Sequence, residues 1–120
     1  MHHAARLAVA VVALLHLGFL VLEMFFWNHP LGHRIFEMTP EVAASSQVLA
    51  MNQGLYNGFL ATGLAWGLAA NRRDVQLFFL GCVIVAGLFG AVTAKPSILL
   101  TQALPGAVAL VLVLTAARKD

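Results

Sequence analysis

The sequence predicts an all-α protein, a four-transmembrane-helix bundle that runs up and down, with one long extracytoplasmic loop between helices 1 and 2. Two observations predict it. Of the 120 residues, 61% are hydrophobic and only 10% are charged, whereas a soluble domain usually carries about 25% charged residues. Four apolar segments also approach or exceed the roughly 20 helical residues that cross a bilayer. Helices are required there because lipid offers no partner for an open backbone.

The four predicted helices form a single integral membrane domain over residues 1–120. They cover about residues 5–27, 40/48–70, 75–92 and 98–117. The first is longer than the apolar core of a signal peptide, about 7–15 residues, so we interpret it as an uncleaved helix. For the second, Thr39-Pro40-Glu41 is typical of an N-cap followed by proline at the first helical position. This helix is therefore expected to begin near Pro40, ahead of the apolar stretch at 48.

Short polar turns at residues 71–74 and 93–97 separate the last three helices, so consecutive helices are expected to be antiparallel neighbours. Pro96 suits the start of the fourth helix. Pro105 removes a backbone donor inside that helix and predicts a kink.

The basic residues predict the orientation. Five of them fall on one side of the predicted bundle and two on the other: Arg6, Arg72, Arg73, Arg118 and Lys119 against Arg34 and Lys95. Cytoplasmic loops carry the excess of Lys and Arg. The sequence therefore predicts a protein of the bacterial cytoplasmic (inner) membrane with both termini in the cytoplasm. These cations report topology, so no nucleic-acid partner is predicted.

Small residues recur at helical spacing and predict close helix packing. Gly54 and Gly58 form one GxxxG pair in the second helix, and Gly63 and Gly67 form another. The third helix carries a stripe of small side chains: Val83, Ala86, Gly87, Gly90 and Ala94. We expect helices 2 and 3 to pack through these faces. The polar side of helix 2 should then turn towards helices 1 and 4.

Polar residues within membrane spans are costly and usually face the interior of the bundle. Eight of them stand out: His16 and Glu23 in helix 1, Asn52, Gln53, Tyr56 and Asn57 in helix 2, and Thr101 and Gln102 in helix 4. All but His16 lie in the half of the bundle near the long loop. We therefore expect a pocket that opens outward, with Glu23 and Asn57 facing each other across it.

Within this pocket Glu23 is the candidate catalytic acid or base and His16 its partner. The remaining six residues are candidate ligand-binding groups: Asn52, Gln53, Tyr56, Asn57, Thr101 and Gln102. An alternative interpretation is that the amides and the phenol only link helices by hydrogen bonds. His16 could likewise be a neutral imidazole bonded to a carbonyl.

A metal site and a cofactor site are not predicted. His29, His33 and Glu37 are spaced four and four, but Pro30 and Gly32 argue against a regular helix that would align them. The chain has one cysteine, Cys82, which is interpreted as a small buried hydrophobe. No Gly-rich phosphate loop, serine triad or haem-ligand pattern is present, so we expect no cofactor.

Several runs resemble motifs of a domain-of-unknown-function family of small bacterial and fungal membrane proteins. They are residues 22–25 with Trp27, residues 52–60 with Gly63, Trp66 and Gly67, residues 79–87, and residues 102–105. The resemblance covers nearly the whole chain. It implies the same four-helix architecture and marks the same polar residues. Some members carry an epimerase tag without a stated mechanism, so the resemblance implies no particular reaction.

Three functions fit these observations. The first is a pocket that binds a lipophilic or amphipathic small molecule within the membrane, as an isomerase-type enzyme using acid/base chemistry or as a binding protein. The second is a small-molecule or proton-coupled transporter, which would need a homodimer through the GxxxG faces because four helices are few for a complete pathway. The third is a structural subunit of a membrane complex. Membrane lipid is a partner in all three.

Overall fold

The structure is a computed structural model that describes residues 2–116. These residues form helices and turns without a strand, so the all-α prediction is confirmed. In chain order the elements are α1 (His2–Phe25), α2 (Pro30–Ile35), α3 (Pro40–Ala69), α4 (Arg73–Thr93), a π-helical segment (Leu99–Ala103) and α5 (Leu104–Thr115).

The observed helix bounds differ from the predicted ones by a few residues. The first helix ends at Phe25, not at Trp27. The long α3 begins at Pro40, and Thr39 Oγ1 accepts a hydrogen bond from Val42 N at 3.2 Å, as its capping pattern predicts. The predicted end of the fourth helix at 117 lies outside the described residues.

A short helix, α2, occupies the loop where the sequence argued against regular helix, so that prediction is wrong. Pro30 stands in its first turn, where the missing N–H costs nothing. His29 is the N-cap, and its Nδ1 accepts from Leu31 N at 3.0 Å. At Gly32, a Cβ atom would lie 2.1 Å from the carbonyl oxygen of Phe26. Glycine is therefore needed here for close backbone packing and not to break the helix.

The turn between α3 and α4 is closed by backbone hydrogen bonds across the end of α3. Asn71 adopts a positive φ of 55°, which asparagine tolerates better than most residues. Arg72 N donates to Gly67 O at 2.8 Å, and Asn71 N donates to Leu68 O at 3.2 Å. This is the Schellman arrangement that satisfies the last carbonyls of a helix. The turn is short, so α4 begins at Arg73, four residues after the end of α3 at Ala69.

The predicted kink near Pro105 takes the form of a π-helical segment. Leu104 N donates to Leu99 O, five residues earlier. Pro105 has no N–H to continue the regular ladder, so the widened turn directly precedes it. Thr101 and Gln102 lie within this segment, and π-bulges of this kind are frequent at functional sites.

The described residues form two compact units, residues 2–14 with 60–116 and residues 15–59. The core of the first unit draws on four helices. Its buried apolar residues are Ala5, Val9, Val12, Leu64, Leu80, Val83, Ala109 and Val113. The single-domain organisation remains a prediction.

Glycines set the packing within the first unit, and those of α3, but not those of α4, follow the predicted pairing of helices 2 and 3. A Cβ at Gly63 would meet the ring of Phe79 at 2.4 Å, so this glycine does face α4. The α4 glycines face elsewhere: a Cβ at Gly87 would lie 2.6 Å from Ala103 N. The stripe of small residues on α4 therefore packs at Gly87 against the π segment and not against α3, because that segment brings its backbone closest.

Two of the helices in residues 2–116 are long and apolar enough to cross a membrane, α1 and α4. The apolar stretch Leu99–Thr115 is shorter. The 30-residue α3 is long enough but carries the amides and the phenol of the predicted pocket. Those polar groups lower its hydropathy relative to α1 and α4.

A matched pair of glycines on α4 tests this packing. Gly87→Ala should lower the free energy of unfolding by about 1–3 kcal/mol, because the added methyl group would overlap backbone atoms of Ala103. Gly81→Ala meets nothing within 4 Å and should be neutral or stabilising, since alanine favours helix by up to about 1 kcal/mol. Thermal unfolding of detergent-purified protein, followed by circular dichroism, measures both. Equal effects of the two substitutions would contradict the packing.

Candidate functional site

The second unit, residues 15–59, contains a direct contact between two of the predicted site residues. Asn57 Nδ2 on α3 donates a hydrogen bond to Glu23 Oε1 on α1. Glu23 is half-buried, and Asn57 is only 9% exposed. The two side chains face each other, as the sequence predicts. A carboxylate and an amide thus share a largely enclosed position between two helices.

Two glycines on α3 make this contact geometrically feasible. A Cβ at Gly54 would lie 2.6 Å from Met24 Cγ and 3.2 Å from Leu20 O, and a Cβ at Gly58 would lie 2.7 Å from Leu20 Cδ1. Without side chains at these positions, α1 can lie close against α3. The short side chain of Asn57 then reaches Glu23. The expectation that Gly54 and Gly58 face away from the polar side is wrong, because they pack beside the same pair.

The face of α3 that carries Asn57 consists of small or short polar residues. They recur at spacings of three and four: Ala43, Ser46, Ala50, Gly54 and Asn57. Ala43 is fully buried, and Ala50 is 5% exposed. Residues at this spacing share one side of a helix. These small side chains allow another helix to pack closely against this face. Among the five residues, only Ser46 and Asn57 carry polar side chains.

Ser46, which the sequence did not mark as a site residue, also links α3 to the end of α1. Its hydroxyl oxygen accepts a hydrogen bond from Trp27 Nε1 at 3.0 Å. The Trp27 ring also contacts the Phe36 ring, with centroids 4.7 Å apart. Trp27 therefore ties the end of α1 to α3, one turn beyond Glu23. Ser46 lies on the same face of α3 as Asn57, and this shared face is the sequence feature that could have identified it.

His16 is fully buried, with 0% of its surface exposed. Its ring meets the edge of the Phe19 ring, with centroids 5.2 Å apart. His16 precedes Glu23 by seven residues, so about 10 Å of helix rise separates them. The two residues share a face of α1. The role of His16 as partner of Glu23 remains a prediction.

Three predicted ligand-binding residues on α3 are exposed: Asn52, Gln53 and Tyr56. Tyr56 is 57% exposed, and its ring lies 5.9 Å from that of Phe59. Of the four polar residues of this stretch, only Asn57 is enclosed. Binding of a ligand by the other three remains a prediction.

Thr101 and Gln102 belong to the other compact unit. Both lie in the π segment, where Thr101 is exposed and Gln102 is half-buried. Their ligand-binding role also remains a prediction.

The histidines around α2 make local contacts. His29 caps α2, and His33 Nε2 lies 3.0 Å from Asn28 Oδ1. Glu37 lies beyond the helix with a positive φ of 55°. Across residues 2–116, His, Cys, Asp and Glu side chains form no group of three or more that could hold a metal ion.

Comparison with known proteins assigns the family. Residues 10–114 match the family described as "Protein of unknown function (DUF1304)", and the chain belongs to this family. It is similar to the uncharacterized protein YpaA of Lactococcus lactis subsp. lactis (strain IL1403), with 34% identity over 97 residues that cover 77% of this chain and 81% of that protein. No solved structure matches the chain.

The Glu23–Asn57 contact can be tested with two asparagines of the same helix. Asn57→Ala should lower the free energy of unfolding by about 1–3 kcal/mol, because it leaves the half-buried Glu23 without this donor. Asn52→Ala, at an exposed position, should change it by less than about 0.5 kcal/mol. Denaturation in mixed detergent micelles measures both. In a Glu23→Ala background, Asn57→Ala should lower the free energy of unfolding by less than it does in the wild type. An equal decrease in both backgrounds would show that the two side chains are not coupled.

Proposed function

We propose that this chain is an integral membrane protein that crosses the bilayer four times. The lengths of the helices support this. At about 1.5 Å per residue, α1, α3 and α4 are about 36, 45 and 32 Å long, each enough for a bilayer core of about 30 Å. Their outer surfaces carry large exposed apolar side chains, including Leu7, Phe25, Phe89 and Val92. An apolar surface of this extent is suited to contact with lipid hydrocarbon and is larger than soluble proteins usually expose to water.

Contacts within the first unit support the proposed orientation. Arg6 near the start of α1 contacts Asn71 and Leu68 O, and Arg73 at the start of α4 contacts Leu114 O near the end of α5. Three basic residues, Arg6, Arg72 and Arg73, are therefore gathered at one end of this unit. The excess of positive charge favours the cytoplasm for this end, in a bacterial inner membrane.

We further propose that the protein binds a lipophilic or amphipathic small molecule at Glu23 and Asn57. The observation that carries this proposal is the hydrogen bond between a half-buried carboxyl and an enclosed amide inside an apolar helix pair. Ionisable groups in membrane spans are expensive and usually functional. Helix association itself does not require a carboxyl, since small residues already pack α1 against α3.

The chemistry of the pair fits isomerisation by acid and base catalysis. One carboxyl can remove a proton from a substrate and return it at another position, so no second reactant is needed. Asn57 holds the carboxyl in place, and its amide can also donate to a developing negative charge. The exposed groups on α3, Asn52, Gln53 and Tyr56, would then contact the polar part of the ligand.

The GxxxG faces do not favour the dimeric transporter. Gly54 and Gly58 contact α1, and Gly63 and Gly67 contact Phe79 and Gln76 of α4. These positions are therefore occupied by helices of the same chain. A dimer would need a different surface.

Glu23→Gln tests the function. Wild-type protein, purified from membranes in mild detergent, should carry a bound lipophilic compound that solvent extraction and mass spectrometry identify. Glu23→Gln should lose that compound or its conversion, because the amide cannot exchange a proton. Its circular dichroism spectrum and thermal midpoint should stay close to wild type, since glutamine still accepts from Asn57.

The matched control is Glu41→Gln, at an exposed position in the first turn of α3, which should retain the compound and its conversion. Full binding and conversion in Glu23→Gln would refute the proposal. A variant that loses only thermal stability would instead indicate the structural subunit.

Two alanines, one in the second turn of α3 and one directly after its end, test the topology. In a Cys82→Ser background, Ala44→Cys should react with a membrane-impermeant maleimide on intact cells, because it lies near the outward loop. Ala70→Cys, beside Asn71, should react only after lysis. Both alanines are exposed, so burial does not bias the comparison. The reverse pattern would overturn the orientation, and labelling of both in intact cells would overturn the membrane span.

A further inference from the structure

Three arginines lie around the α3–α4 turn, and they differ in how their charges are balanced. Arg72 is fully paired with a carboxylate: its Nε and Nη2 donate to the two oxygens of Asp74 at 2.9 and 2.7 Å. This is the two-pronged geometry that suits arginine and a carboxylate. The charge of Arg72 is therefore neutralised within the turn.

Arg6 approaches the same turn from α1 and, among residues 2–116, contacts only neutral groups. Its Nη1 donates to Asn71 Oδ1 at 3.3 Å, and its Nη2 donates to Leu68 O at 3.2 Å. Leu68 lies in the last turn of α3, where a cation is favoured by the helix dipole. These contacts hold the guanidinium in place without cancelling its full charge.

Arg73 is held in a similar way from the other side of the turn. Its Nη2 donates to Leu114 O at 3.2 Å, in the last turn of α5. Its Nε is enclosed and has no hydrogen-bond partner among residues 2–116. No carboxylate of those residues pairs with Arg6 or Arg73. A partly enclosed cation of this kind is stabilised by a nearby anion.

We propose that Arg6 and Arg73 bind the phosphate of an anionic phospholipid headgroup. The side chain of Arg6 contacts Asn71, two residues before Arg73, so both arginines belong to the same turn. Guanidinium groups match phosphate oxygens through parallel N–H donors. Basic sites between helices on the cytoplasmic side of membrane proteins bind anionic headgroups in this manner.

The apolar surface beside the arginines favours a lipid over free phosphate. Leu7 follows Arg6 and is 67% exposed, while Leu114, whose carbonyl Arg73 holds, is 51% exposed. An acyl chain can lie on these side chains while its phosphate contacts the arginines. The inference rests on the proposed membrane location, but not on the chemistry at Glu23.

Native mass spectrometry of the full chain in mild detergent tests the proposal. With equal amounts of phosphatidylglycerol and phosphatidylcholine, wild-type protein should retain the anionic lipid about tenfold better, since each arginine near a headgroup adds attraction. Equal retention of the two lipids would overturn the proposal. If millimolar inorganic phosphate removes the bound phosphatidylglycerol, the site takes free phosphate, and the assignment to a lipid is overturned.

Variants of equal charge change locate the site. Arg73→Gln should lose most of the preference for phosphatidylglycerol, whereas Arg34→Gln, on an exposed residue of α2, should keep it. Arg73→Lys retains the charge and should keep part of the preference. Equal loss in Arg73→Gln and Arg34→Gln would show a nonspecific charge effect and refute the site.

The same preparation separates this inference from the proposed function. Failure of the chain to enter vesicles of either lipid in a flotation assay would refute the membrane location and both proposals. Entry into both, without a preference for phosphatidylglycerol, would refute the headgroup site alone. Loss of the compound bound at Glu23 in Glu23→Gln, with the lipid preference intact, would support the two sites independently.

Discussion

The close approach of α1 and α3 is the constraint on which the candidate site depends. It requires the absence of side chains at Gly54 and Gly58, where added Cβ atoms would meet Met24 and Leu20. Next to these glycines, the short side chain of Asn57 reaches Glu23. The glycines therefore allow α1 and α3 to approach closely, and the hydrogen bond between Asn57 and Glu23 forms between the two helices.

A carboxyl in such surroundings is costly to the fold, because burial removes water from it and returns one amide donor. Tight packing alone is achieved more cheaply by alanine and glycine, which the same face of α3 already supplies at Ala43, Ala50 and Gly54. The carboxyl of Glu23, which faces these residues from α1, is not required for that packing. The Trp27–Ser46 bond then fixes the neighbouring turn and limits how far the two helices can separate.

Backbone irregularities occur where the chain must turn or where proline removes a donor. The widened turn at Leu99–Ala103 directly precedes Pro105, and the positive φ of Asn71 closes the α3–α4 turn. That turn also gathers arginines whose donors satisfy the final carbonyls of α3 and α5. The last carbonyls of a helix lack intrahelical donors, and here cationic side chains from neighbouring helices supply them.

Composition and spacing determined the helical class of this protein, the start of α3 at Pro40 and the polar residues worth attention. These follow from local chemistry: apolar runs, a capping pattern and the cost of burying polar groups. Glu23 and Asn57 could be expected to meet, because both are polar residues in the predicted outer half of the first two membrane helices. Sequence also marked the glycines as packing positions, since a missing side chain has few other uses in a helix.

Only the tertiary structure decided which helix each glycine faces. A GxxxG pair specifies a close neighbour but not its identity, so Gly54 and Gly58 could be assigned to α1, and Gly87 to the π segment, only from coordinates. Coordinates were likewise needed to show that the hydroxyl of Ser46 accepts a hydrogen bond from Trp27, 19 residues away in the chain. Helical periodicity is local, whereas the rotation of each helix about its axis is set by the sum of its contacts with the others.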